Sequence, residues 1–165
     1  LALVGRAAAA LEVRQQEVAV GLDWQPTSAP VRVIVERRIG LANVRGGTGI
    51  GLVGGSALAV GRGRIEGYGQ AGYIVRDRRS EGYADGAARA VAPPVPLGPA
   101  LRLEYGVGAW GAAQRGAARV DIGPGAALVV PVSGRSLRLS LDWRERVAGN
   151  ARPGSGLVLA LGGDF

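Results

Sequence analysis

The chain has 165 residues, enough for one domain with a full core. It contains neither Cys nor His, which excludes disulfides, thiolate metal sites and the commonest general base. All 20 basic residues are Arg and the formal net charge is +7. Such a charge would ordinarily suggest nucleic acid, but the placement of the charges argues against that partner.

Apolar and polar residues alternate along most of the chain, and in a strand successive side chains point to opposite faces. The alternation recurs between turn signals and predicts ten strands of roughly nine to twelve residues with no helix, which is typical of an antiparallel meander in a sandwich or barrel. The alternating residues that define these strands lie within 1–14, 18–24, 31–38, 50–58, 64–75, 81–89, 101–107, 119–130, 135–146 and 157–165.

Several segments admit another interpretation. The four alanines at 7–10 would also suit a helix, but the alternation on both sides favours a strand. Segment 40–49 is a predicted Gly-rich loop that lacks the Lys-Ser/Thr of a phosphate-binding loop. Segment 92–99, rich in Pro, predicts a break. Because Leu1 is not an initiator Met, we expect a chain that is processed, trimmed or the tail of a longer protein.

Charged residues on the polar faces of the predicted strands are nearly balanced, with eleven Arg against ten acidic residues. A solvated face needs no such balance, whereas buried charges must be paired. The pattern therefore predicts an enclosed, charged face with cross-strand ion pairs. The predicted network comprises Arg102, Glu104, Arg119, Asp121, Arg138, Asp142 and Arg144.

Aromatic residues lie on the apolar faces, several of them near strand ends, as interfacial girdles in a membrane do. These residues are Trp24, Tyr73, Tyr105, Trp143 and Phe165. The even strand number and the predicted strand lengths also suit a membrane barrel with its apolar face towards lipid. A soluble lipocalin-like barrel, with the apolar face inward and an apolar ligand inside, is the alternative.

The ten alternating strands, the short turns and the final segment LVLALGGDF, which ends on Phe165, resemble bacterial outer-membrane β-barrel proteins. The resemblance implies one antiparallel up-and-down transmembrane barrel over residues 1–165. It also implies an outer-membrane location and recognition of the last strand by the barrel-assembly machinery. The predicted outer loops are shorter than those of typical porins or adhesins, which argues against a receptor role.

Function is less sharply predicted. Without His, Cys or Lys no Ser can be activated, so we expect no enzyme activity, catalytic residue, metal or cofactor. The lumen of a ten-stranded barrel is narrow and would be largely filled by the charged side chains. We therefore expect a structural or anchor component of a larger envelope protein or assembly. A small porin-like channel is the alternative. Arg76, Arg78 and Arg79 form a charged turn that we expect to contact anionic glycolipid of the outer leaflet.

Overall fold

The computed structural model describes residues 2–8, 17–40, 46–76, 80–132 and 135–163. Within these ranges the secondary structure is entirely β. The strands are β1 (Ala2–Ala8), β2 (Glu17–Trp24), β3 (Val31–Gly40), β4 (Gly47–Val60), β5 (Gly63–Val75), β6 (Glu81–Val91), β7 (Val95–Pro96), β8 (Arg102–Gln114), β9 (Ala117–Val132), β10 (Arg135–Gly149) and β11 (Gly156–Gly163). In the described ranges no helix is long and apolar enough to cross a membrane.

The strands follow one another in the sheet in the order of the sequence, from β1 to β11. The pairs β1–β2, β2–β3, β3–β4, β8–β9, β9–β10 and β10–β11 are antiparallel. Ten strands lie on this path, and the two-residue strand β7 pairs with β8 beside it. The prediction of an all-β antiparallel sheet of ten strands is confirmed for the described part of the chain. Within that part the path is open, since β1 pairs with β2 and β11 pairs with β10.

Two compact units make up the chain. Unit 1 consists of Leu1–Gly55 and Tyr68–Asp85, and unit 2 of Ser56–Gly67 and Gly86–Phe165. Unit 1 holds β1, β2 and β3, and unit 2 holds β7 to β11. Strands β4, β5 and β6 contribute residues to both units.

Strand lengths differ from the predicted nine to twelve residues. Strands β8, β9 and β10 have 13, 16 and 15 residues. They extend beyond the predicted segments: β8 runs on to Gln114, β9 spans Ala117–Val132, and β10 runs on to Gly149. The predicted break at 92–99 contains strand β7. Residues 9–16, which include the end of the predicted first strand, lie outside the described residues.

Burial is inverted relative to a water-soluble sheet. Asp121 is fully buried, and other charged residues on the same faces are nearly so. In the described ranges thirty large hydrophobic side chains are exposed and only six hydrophobic residues are buried. We call the face that carries Asp121 and its neighbours the charged face, and the opposite one the apolar face. The buried residues are Ile34, Ile74, Val91, Trp110, Ala127, Val129, Asp23, Glu36, Glu104, Asp121, Ser140 and Asp142.

Candidate functional site

The register of β8, β9 and β10 sets the charged residues of unit 2 in rows across the sheet. Arg102 pairs with Val129, which pairs with Arg138. The next rows along the strands are Glu104, Ala127 and Ser140, then Gly106, Gly125 and Asp142. The middle strand β9 thus supplies small or apolar residues in these rows. Long charged side chains from the neighbouring strands can therefore meet above it.

Glu104 is the centre of the first group of charges, which we call the Glu104 cluster. Its oxygens accept hydrogen bonds from Arg64 Nη2 at 2.7 Å and from Arg138 Nη1 at 2.7 Å. Arg102 Nε lies 3.7 Å from the same carboxylate. Glu66 completes the cluster, 2.9 Å from Arg64 Nε and 3.5 Å from Arg138 Nη2. Two carboxylates here face three guanidinium groups.

Asp142 is the centre of the second group. Arg89 Nη2 lies 3.3 Å and Arg144 Nη2 3.7 Å from its carboxylate. Arg89 comes from β6 and reaches across β8 and β9. It can do so because Gly106 and Gly125, which share the row of Asp142, have no side chains. A Cβ at Gly125 would collide with Asp142 Oδ1.

Asp121 is the centre of the third group. It accepts hydrogen bonds from Arg119 Nε at 2.6 Å and from Arg146 Nε at 3.0 Å. Arg146 also donates to the carbonyl oxygens of Ala151 and Pro153. This arginine therefore ties the loop between β10 and β11 to the most buried carboxylate of unit 2.

Trp110 lies among these charges on the charged face. It is 7% exposed and pairs with Asp121 in the register of β8 and β9. The Arg144 guanidinium lies 4.5 Å from the centroid of its ring, a cation–π contact. The ring also folds back over Gly108, two residues earlier, where a Cβ would come within 2.6 Å of it.

Unit 1 has its own ion pairs. Arg32 Nη1 lies 3.2 Å from Asp23, and Arg38 Nε donates to Glu36 at 2.6 Å. The Arg38 guanidinium also lies 5.5 Å from the centroid of the Tyr83 ring. Here too the buried groups include carboxylates, Asp23 and Glu36.

The seven residues of the predicted charge network lie on the charged face, but their ion pairs differ from the prediction. The seven predicted residues belong to three groups, around Glu104, Asp142 and Asp121, rather than to one. The described ion pairs make no link between these groups. The prediction omitted four members of these groups: Arg64, Glu66, Arg89 and Arg146. Arg64 and Arg89 reach carboxylates across intervening strands. Arg146, by contrast, lies directly opposite Asp121 on the neighbouring strand.

The charge balance also differs between the two units. The described charged face of unit 2 carries seven Arg and four acidic residues, an excess of three positive charges: Arg64, Arg89, Arg102, Arg119, Arg138, Arg144 and Arg146 against Glu66, Glu104, Asp121 and Asp142. The near-balance counted along the sequence depends on acidic residues of unit 1, such as Glu81 and Asp85.

The predicted interface aromatics lie on the apolar face. Trp24, Tyr73, Tyr105 and Trp143 are each between 44% and 53% exposed. Phe165 is outside the described residues. Trp110, by contrast, was missed because the alternation identified in the seventh predicted strand was followed only to Val107. Its even spacing from Arg102 and Glu104 was the available signal.

The predicted glycolipid contacts are only partly described. Arg76 lies next to the end of β5, where its Nη1 is 3.7 Å from Glu81 Oε2. Arg78 and Arg79 lie outside the described residues. Contact of this turn with glycolipid therefore stays a prediction.

Two cavities in unit 2 border the two faces. One, of about 350 Å³, adjoins the Glu104 cluster and is lined by Arg102, Ser136 and Arg138 among others. The other, of about 680 Å³, is an apolar groove lined by Val107, Trp143 and small residues. In the described ranges no group of carboxylates is arranged to hold a metal ion. Comparison with protein-family models, curated proteins and solved structures finds no match.

Proposed function

We propose that the chain is an outer-membrane β-barrel whose apolar face contacts lipid and whose charged face lines a largely filled lumen. The observation that carries this proposal is the inverted burial. Asp121, Glu104 and Asp142 are buried, while leucines and valines of the same strands are exposed. In water that arrangement leaves apolar surface unburied, at roughly 25 cal/mol per Å². In a bilayer the same surface meets hydrocarbon and carries no such cost.

Closure of the strand path into a barrel is part of the proposal. A sheet edge leaves backbone N–H and C=O groups unpaired, and in hydrocarbon such groups cost several kcal/mol each. Strands β1 and β11 are the two ends of the path in the described residues. Pairing them would satisfy both edges. The sequential antiparallel order supports the proposal of a ten-stranded barrel.

The role of this barrel is that of an anchor or structural component of a larger envelope assembly. Ion pairs occupy the charged face of unit 2 along most of the length of β8 to β10. Such filling disfavours a wide channel. The barrel-assembly machinery, through β11, outer-leaflet glycolipid and other envelope subunits are the expected partners.

Cell fractionation tests the location. The full chain, expressed in a Gram-negative host with a secretion signal, should be found in the outer-membrane fraction and resist extraction with alkaline carbonate. Recovery of folded protein in the soluble periplasmic fraction would contradict the proposal and favour the lipocalin-like alternative.

Conductance of the purified protein in planar bilayers tests the role. A filled lumen predicts no conductance above the bare membrane. Stable single-channel steps would contradict the anchor role and support the small channel instead.

A further inference from the structure

The charged face of unit 2 has more guanidinium groups than its carboxylates can satisfy, and part of that surplus borders a cavity. In the Glu104 cluster three arginines face two glutamates, Glu66 and Glu104. Each guanidinium has about five N–H donors, whereas each carboxylate accepts about four hydrogen bonds. The cluster is therefore short of acceptors as well as of negative charge.

Arg102 is the arginine that the cluster satisfies least. Its Nε lies 3.7 Å from Glu104 Oε1, beyond hydrogen-bonding distance. The oxygens of Glu104 accept instead from Arg64 and Arg138. The side chain of Arg102 is 53% exposed, and among the described residues it has no hydrogen-bond acceptor. Its N–H groups can therefore donate two parallel hydrogen bonds to an oxyanion.

Arg138 also has a donor that lacks a hydrogen-bond acceptor in the described ranges, although this donor is buried rather than exposed. Its Nη1 donates to Glu104, but its Nη2 is buried and has no hydrogen-bond partner in the described part of the chain. The nearest carboxylate oxygen, Glu66 Oε1, is 3.5 Å away. A buried donor without an acceptor costs about 1–3 kcal/mol. An anion beside Arg138 would accept a hydrogen bond from this Nη2 group.

The cavity of about 350 Å³ next to these two arginines has the size of a pocket for a small molecule. Arg102, Arg138 and Ser136 line it, and Val129 lies between the two arginines in the sheet register. We propose that this cavity binds a small oxyanion, a carboxylate or phosphate group, through the guanidinium groups of Arg102 and Arg138.

Glu104 does not prevent anion binding at this place. Its charge and that of Glu66 are matched by Arg64 and Arg138, which both lie 2.7 Å from Glu104. The third cation, Arg102, is then the net charge that the oxyanion would neutralise. All these residues belong to unit 2. The inference thus goes beyond the proposed function and does not depend on a membrane location.

The experiment is a titration of the full chain, folded in detergent, with sodium phosphate and separately with sodium acetate at constant ionic strength set by sodium chloride. The melting temperature is read by circular dichroism. A ligand that binds the folded state raises it. We expect a saturable rise with at least one of the two oxyanions, and the more effective one identifies the preferred group.

Arg102→Gln should raise the concentration for a half-maximal shift at least tenfold. Arg115→Gln, which removes the same charge from the turn between β8 and β9, should leave it unchanged. If Arg102→Gln does not fold, Arg102→Lys replaces it, with a weaker shift expected because Lys has no fork. No saturable shift with either oxyanion would overturn the proposal. So would an equal response of the Arg102 variant and wild type.

Discussion

Asp121 has no exposed side-chain surface, although it is a carboxylate in a sheet whose described part exposes thirty large hydrophobic side chains. Burial of a charge is tolerated when hydrogen-bonded partners of opposite charge surround it. Arg119 and Arg146 are those partners. At the residue scale, stability of unit 2 therefore depends on the completeness of each ion-pair group.

Removal of Asp121 tests this dependence. Asp121→Ala leaves the Arg119 and Arg146 guanidinium groups together without their shared carboxylate. We expect a loss of roughly 3–5 kcal/mol in the free energy of unfolding, the range for breaking a buried pair. The measurement is urea unfolding of the protein in detergent.

Glu145→Ala is the matched control. Glu145 is an exposed carboxylate on β10 that accepts a hydrogen bond from Ser155, and an exposed contact of this kind contributes at most about 1 kcal/mol. An Asp121 variant no less stable than the Glu145 variant would mean that the charged face is open to water.

The charged residues could be predicted from their period of two, but their partners could not. The alternation placed Arg102, Glu104 and Arg138 on one face, as found. Arg64 and Arg89 were missed as partners because their ion pairs reach strands that are not their neighbours. Which long side chain reaches which carboxylate depends on small residues, such as Gly125, in the strands between them.

At the scale of the element, glycines in β8 have unequal roles. A Cβ on Gly108 would come within 2.6–3.2 Å of the Trp110 ring, while a Cβ on Gly111 would meet nothing within 4 Å. Filling an occupied site forces side chains off their preferred rotamers, at about 1–3 kcal/mol. The Trp110 ring occupies the space that Gly108 leaves free.

We therefore expect Gly108→Ala to lower the free energy of unfolding by about 1–3 kcal/mol, and Gly111→Ala to leave it nearly unchanged. In the Trp110→Ala background the additional cost of Gly108→Ala should disappear. Urea unfolding of the four variants gives a double-mutant cycle. Additive effects of Gly108→Ala and Trp110→Ala would contradict the packing of the ring on the glycine.

Strand boundaries were the part of the fold that the sequence predicted least well. The alternation identified in the seventh predicted strand ends at Val107, whereas β8 continues to Gln114. Gly and Pro usually mark turns. Glycines inside β8 and β9 serve instead as sites where large side chains lie close to the backbone. This use cannot be told from a turn without knowledge of the facing strand.

Strand direction gives a prediction about the two ends of unit 2. Arg115 lies in the turn between β8 and β9, and Arg62 in the turn between β4 and β5. If the last strand ends in the periplasm, the turn with Arg115 is extracellular and the turn with Arg62 is periplasmic. The chain has no Cys, so single variants can be labelled specifically.

In intact cells, Arg115→Cys should react with a membrane-impermeant maleimide, and Arg62→Cys should react only after the outer membrane is disrupted. The reverse labelling pattern would invert the proposed orientation. Equal labelling of both positions in intact cells would contradict a membrane location for unit 2.

At the scale of the whole molecule, the turn with Arg76, Arg78 and Arg79 is proposed to meet the anionic outer leaflet. Arg binds phosphate groups through its planar fork. Replacement of all three by Gln should reduce co-purified anionic glycolipid several-fold without unfolding the protein. Arg62→Gln, at the other end, should retain it. Unchanged glycolipid in the triple variant would show that the turn is only solvated.

If the chain is a membrane barrel as proposed, its apolar face contacts lipid and its charged face does not. Trp143 is 44% exposed on the apolar face and Trp110 is 7% exposed on the charged face. Single-Trp variants made by Trp→Phe substitution at the other two positions report on each face separately. Bromine on lipid acyl chains quenches only a tryptophan within contact distance of the chains.

Fluorescence of the two variants in vesicles with brominated acyl chains is the most direct test. We expect strong quenching of Trp143 by the brominated lipid, little quenching of Trp110, and poor access of aqueous acrylamide to Trp143. Quenching of Trp143 by acrylamide, with none by the brominated lipid, would show that the apolar face does not contact lipid.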